Sequence, residues 1–105
     1  MKNRFLSNIS EFDGKEETFD GWVYNTRSIG KIWFLILRDG TGMTQCVVSS
    51  DETTETVFKL ENTLTQESSI TVTGIVKKEP RSIGGYEILV KNIVVHQLAL
   101  DYPIS

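Results

Sequence analysis

The stretch Lys31-Ile32-Trp33-Phe34-Leu35-Ile36-Leu37-Arg38 most constrains what this chain can become. It is rich in aromatic and branched residues and stops at Asp39-Gly40-Thr41-Gly42, a strong turn signal. Met43-Thr44-Gln45-Cys46-Val47-Val48 follows as a second strand, so residues 31–48 read as a β-hairpin. Successive strand residues point to opposite faces. Trp33, Leu35 and Leu37 therefore share one face, and Ile32, Phe34, Ile36 and Arg38 the other. One face must fill a core. The other then carries Phe34 outward in the middle of a sheet.

The flanking segments extend the pattern. Thr18 to Arg27 is rich in aromatic and β-branched residues, with Gly30 closing it, and reads as a strand. Ser69–Lys78 alternates polar and apolar residues until Gly74 shifts the phase. Gly21 and Gly74 mark bulges or sharp bends of the kind small barrels need. Residues 80–85 form a glycine-rich loop, and Tyr86 to Leu98 is a last strand with Tyr86, Ile88 and Val90 on one face. Between the third and fourth strands, Val57, Leu60 and Leu64 are spaced as one face of a short helix over 51–64, capped by Ser50 or Asp51. Three strands, a helix and two strands make an all-β chain with one short helix. The arrangement is a five-stranded Greek-key barrel, the OB-fold. An SH3-like barrel has five strands but not this helix placement. Residues 1–16 are a lead-in segment, 17–100 the barrel, and 101–105 a closing segment in which Pro103 ends the ladder.

Several chemistries are excluded. One cysteine and one histidine build neither an internal disulfide nor a zinc site. No lysine follows the glycines as a phosphate-cradling loop requires. His96 has no orienting partner for catalysis and reads as a partly buried structural histidine, and Cys46 as a small core residue. No catalytic residue, metal ligand or cofactor site is expected in this chain. No apolar run approaches the roughly 20 residues of a membrane span. No apolar region follows the basic N-terminus as in a secretory signal, so a cytoplasmic protein without a membrane partner is expected. The formal net charge of -3 argues against a generally sticky nucleic-acid binder.

A local binding face remains. Outward aromatics on the second and third strands of an OB-fold are where nucleobases stack, and Phe34 is so placed. Gln45 carries an amide able to pair with a base edge. Arg-Ser-Ile-Gly occurs at 27–30 and again at 81–84, in the loops after the first strand and between the last two. Each copy brings an arginine and a hydroxyl to the ligand side. Lys31, Lys77, Lys78 and Arg81 form a local basic rim. The same pattern is open to a sequence-blind single-strand binder, or to a protein-interaction module that docks on the Phe34 strip.

Gly21-Trp22-Val23-Tyr24-Asn25-Thr26-Arg27, Gly30 through Gly42, Gln45-Cys46-Val47-Val48, Thr65 through Ile70, Val72-Thr73-Gly74 and Arg81 to Glu87 together resemble a known pattern. It is the N-terminal anticodon-binding domain of class II aminoacyl-tRNA synthetases, in the subgroup charging aspartate, asparagine and lysine. The resemblance covers about Phe5 to Ser105. The Asp-Gly-Thr-Gly turn and the Tyr102-Pro103-Ile104 ending look most like the asparaginyl type, with the aspartyl type as runner-up. The resemblance implies a barrel that grips a tRNA anticodon loop with a central uridine. It implies that Phe34 stacks on that uridine, that Gln45 reads its edge, that Arg27 contacts anticodon backbone and bases, and that Glu87 helps read the anticodon. Arg81 is a suggested phosphate contact. It also implies a hinge starting near residue 101, then a catalytic domain using ATP and magnesium, in a parent enzyme that is a homodimer. This chain alone would be inactive.

Overall fold

The computed structural model describes residues 4–99. The expected closing segment at 101–105 lies outside the described residues. Five strands close into one barrel: β1 (Glu16–Ile29), β2 (Ile32–Asp39), β3 (Gly42–Ser49), β4 (Ser69–Lys78) and β5 (Tyr86–Gln97), in the spatial order β1-β2-β3-β5-β4. All neighbours are antiparallel except β3 and β5, which close the barrel as a short parallel pair. This is the OB topology.

β1 serves two ladders. Its first half pairs with β4 and its second half with β2, and Trp22 takes part in both. A bulge between Val23 and Asn25 increases the bend. Where the strand turns, backbone passes so close that only glycine fits. A Cβ on Gly21 would lie 2.5 Å from the Arg38 carbonyl oxygen, and one on Gly74 would lie 2.3 Å from that of Leu89. The two glycines noted in the sequence are thus close-approach positions.

Alternation in β2 behaves as the pattern demands: Trp33, Leu35 and Leu37 are fully buried, and Phe34 and Ile36 are half-buried on the outer face. Cys46, Val48, Ile70, Val72, Ile88 and Val90 complete the barrel interior. Burial pushes the Cys46 thiol far above its ordinary value. One end of the barrel is plugged by α1 (Glu55–Phe58) and the 3₁₀ turn after it, which bury Val57. The Trp33 indole N–H donates to the Phe58 carbonyl at 2.9 Å and ties the plug to the core.

Three local expectations change. The helical segment begins later than Ser50 or Asp51: Thr54 is the cap, its Oγ1 accepting from the Val57 N–H at 3.2 Å. Residues 49–53 are instead held as a turn by the Ser49 and Thr53 hydroxyls. Leu6–Phe12 is a 3₁₀ segment that buries Leu6, Ile9 and Phe12, so much of the lead-in belongs to the core. His96 is exposed rather than partly buried, because a register shift between Ser69 and Ile70 against β5 turns it outward, where Nε2 meets the Thr71 hydroxyl. No helix among the described residues is long and apolar enough to cross a membrane.

The β2–β3 turn is built around Asp39. Its carboxylate accepts from the backbone N–H groups of Thr41 and Gly42 and from that of Leu6, and from the Thr41 hydroxyl. Burial by itself would raise this carboxyl's pKa, but the hydrogen bonds outweigh it and hold it below the usual value.

Candidate nucleic-acid interface

The ladders bring separated residues onto one outer surface. Arg27 of β1 pairs with Phe34 of β2, and Phe34 with Val47 of β3. Gln45 lies two residues from Val47, on the same face by alternation. The parallel closure then sets Glu87 of β5 directly beside Gln45. Above this row runs the β4–β5 loop, where Gly84 and Gly85 both take positive φ. That loop lowers Ser82 until its Oγ accepts from Gln45 Nε2 at 3.3 Å.

The result is an open depression of about 460 Å³, lined by Arg27, Phe34, Gln45, Arg81 and Glu87 together with Glu79 and Ser82. The Arg27 guanidinium lies over the Phe34 ring, 4.9 Å from its centroid. Arg81 points into solvent, its backbone N–H and Nε donating to Glu79 Oε2 at 3.2 and 3.4 Å. Those bonds, the backbone one foremost, hold the Glu79 carboxyl below its ordinary pKa.

The chemistry is specific in kind. A flat aromatic surface, an amide with donor and acceptor, two guanidinium groups and two carboxylates surround one shallow site. That set suits an unpaired base with a polar edge and an attached phosphate. A net acidic chain can present it because two of its four arginines, Arg27 and Arg81, meet at this depression, while Arg4 and Arg38 pair with Glu17 and Glu67 elsewhere.

Five of the six residues singled out from the sequence line this depression. Lys31 does not: it is exposed in the β1–β2 turn, and its carbonyl accepts from the Ser50 N–H at 3.2 Å. The Arg-Ser-Ile-Gly copies do converge, since Arg27 and Arg81 face the same depression. The first copy, however, is mostly strand, with only its glycine in the turn. Lys77 of the expected rim sits beside Glu87 in the β4–β5 ladder. Glu79 was not legible in the sequence, lying in the charged run after Lys77 and Lys78. Ser82 was signalled only as the hydroxyl of a repeated turn.

Fold and face together define a class of protein: a small closed OB barrel whose outer face carries an open depression lined by an aromatic ring, an amide and two arginines. The chain belongs to the tRNA anticodon family of OB-fold nucleic acid binding domains, whose family model matches residues 18–95. It is 47% identical over its whole length to the asparagine–tRNA ligase of Desulforamulus reducens, of which it covers 24%. It superposes on the asparaginyl-tRNA synthetase of Pyrococcus horikoshii solved with asparaginyl-adenylate, with TM-score 0.89 and 37% identity, over 100% of this chain and 24% of that one. The aspartyl-tRNA synthetase of Entamoeba histolytica matches less well, at TM-score 0.81 and 28% identity, over 98% of this chain and 22% of that one. The chain thus spans about a quarter of the length of the relatives it matches.

Proposed function

We propose that this chain is the anticodon-binding module of an asparagine–tRNA ligase. In this reading the central uridine of the anticodon stacks on Phe34 and pairs edge-on with Gln45. Arg27 then leaves the Phe34 ring, where its guanidinium occupies the place a stacked base needs, and turns to the anticodon backbone. Glu87 contributes an acceptor beside Gln45, and Arg81 supplies a phosphate contact at the rim. Lys31 adds at most an outlying phosphate contact. ATP and magnesium are assigned to the catalytic remainder of such a ligase, which would work in the cytoplasm as a homodimer. The module's part is to hold the right tRNA while that remainder attaches asparagine.

The single observation that carries this reading is the convergence of Arg27, Phe34, Gln45, Arg81 and Glu87 on one open depression from four strands and a loop. The asparaginyl assignment over the aspartyl one is supported by the higher identity to the asparagine–tRNA ligase. The test is binding of a labelled G-U-U anticodon stem-loop, followed by anisotropy, to the chain and to Phe34→Ala and Gln45→Ala. Each substitution is expected to cost about 1–3 kcal/mol of binding. Unchanged affinity in both variants refutes the assigned roles.

A further inference from the structure

We infer that Arg27 gates the Phe34 ring, admitting a base only when the ligand also brings a phosphate to draw the guanidinium away. The inference rests on the reading of Phe34 as the base-stacking group. It assigns the face to phosphate-bearing nucleotides and sets it against free bases and nucleosides. Arg27 and Phe34 are direct partners in the β1–β2 ladder, and the guanidinium lies over the ring, 4.9 Å from its centroid. Aromatic pairs sit with centroids roughly 4.5–7 Å apart, so guanidinium and base compete for one space. The ring is half-buried, so the sheet already covers part of it. The part left open lies in the depression that Arg27 also lines.

Arg27 also differs from the other arginines in its charge partner. Arg4 pairs with Glu17, Arg38 with Glu67 and Arg81 with Glu79. Arg27 makes no ion pair among the described residues, although Glu79 and Glu87 line the same depression. Its positive charge is therefore uncompensated and rests only on the ring. At an exposed site such a contact gives a preference of only about two- to fivefold. Guanidinium bonds to a phosphate are charge-assisted, can be bidentate, and are stronger. A neutral base arriving alone must displace the guanidinium and offers it no new partner. A base carried on a phosphate supplies that partner, and the vacated ring then takes the base. One residue thus opposes one class of ligand and favours the other.

The experiment titrates uridine and uridine 3′,5′-bisphosphate into the full chain and into Arg27→Ala, Phe34→Leu and the double variant, followed by backbone amide shifts. Wild type is expected to prefer the bisphosphate by about tenfold or more. Arg27→Ala is expected to move the two ligands in opposite directions: uridine tightens about two- to fivefold, and the bisphosphate weakens about threefold or more. In the Phe34→Leu background the gain for uridine is expected to vanish, because no ring remains to be uncovered. Uridine affinity unchanged or lowered in Arg27→Ala, with Phe34→Leu still weakening both ligands, overturns the gate alone. A gain for uridine that persists in the double variant does the same. A chain whose binding of both ligands ignores Phe34→Leu, or a wild type that binds neither, overturns the stacking assignment of Phe34 and the gate with it.

Discussion

Replacing Gly74 by alanine tests the barrel's closure. The added methyl would lie 2.3 Å from the Leu89 carbonyl oxygen, 2.7 Å from Ile88 Cγ2 and 2.9 Å from the Leu89 carbonyl carbon. That is more than roughly 1 Å inside ordinary contact distance. Two of the three atoms are backbone, so no side chain can swing away to make room. Relief requires β5 to move off β4 beside the register shift between Thr73 and Gly74, which weakens ladder hydrogen bonds. Overpacking costs about 1–3 kcal/mol and strained ladder bonds about 1 kcal/mol more. The lower entropy of the unfolded alanine chain returns only about 0.4–1 kcal/mol. The expected net loss is about 2 kcal/mol, a large part of the roughly 5–15 kcal/mol typical of a domain. Urea unfolding followed by far-UV circular dichroism measures it, with an expected fall in midpoint of about 0.7–2 M. Gly40→Ala is the control, since a Cβ there meets nothing within 4 Å and the residue does not take positive φ. Gly74→Ala within about 0.5 kcal/mol of wild type would refute the close-approach reasoning.

Three further outcomes follow from the same structure. Asp39, whose folded pKa is depressed, stabilises the fold fully above the unfolded carboxyl value and loses that contribution as pH falls through the folded one. The stability gap between wild type and Asp39→Ala, read from urea midpoints, should therefore narrow below about pH 4; a gap independent of pH down to 2.5 would contradict the assignment. The buried, pKa-raised Cys46 should resist a thiol-specific chromogenic reagent at pH 8 and react only on unfolding, so fast reaction of the native chain would show an open barrel. RNA binding should weaken only gently with salt, with a log–log slope of about -1 to -1.5, because Arg27 and Arg81 supply only a couple of phosphate contacts. A slope near -4 would point to a sequence-blind electrostatic binder.

What was legible in the sequence followed from local rules. The hairpin at 31–48 shows because an apolar run ends in a glycine-rich turn, and inside and outside show because strands have period two. Gly21 and Gly74 show because glycine interrupts an otherwise β-rich stretch. The misses depend on tertiary contacts. Leu6, Ile9 and Phe12 recur every third residue and read as apolar anchors, but only the barrel end they cover makes that face part of the core. His96 follows two valines and looks inward-leaning until the β4–β5 register shift turns it out. Gln45 and Glu87 are far apart in sequence, and the resemblance, not spacing, pointed to Glu87; the parallel β3–β5 closure puts them side by side. Glu79 and Ser82 enter the site through the conformation of one loop, which the sequence marks as a turn without saying where its side chains fall.

The most direct test of the anticodon-reading account is the affinity of the unmodified chain, at fixed salt, for a G-U-U stem-loop and for the same stem-loop with the central uridine changed to cytidine. The account predicts a preference of tenfold or more for uridine. Equal affinity for the two would contradict it.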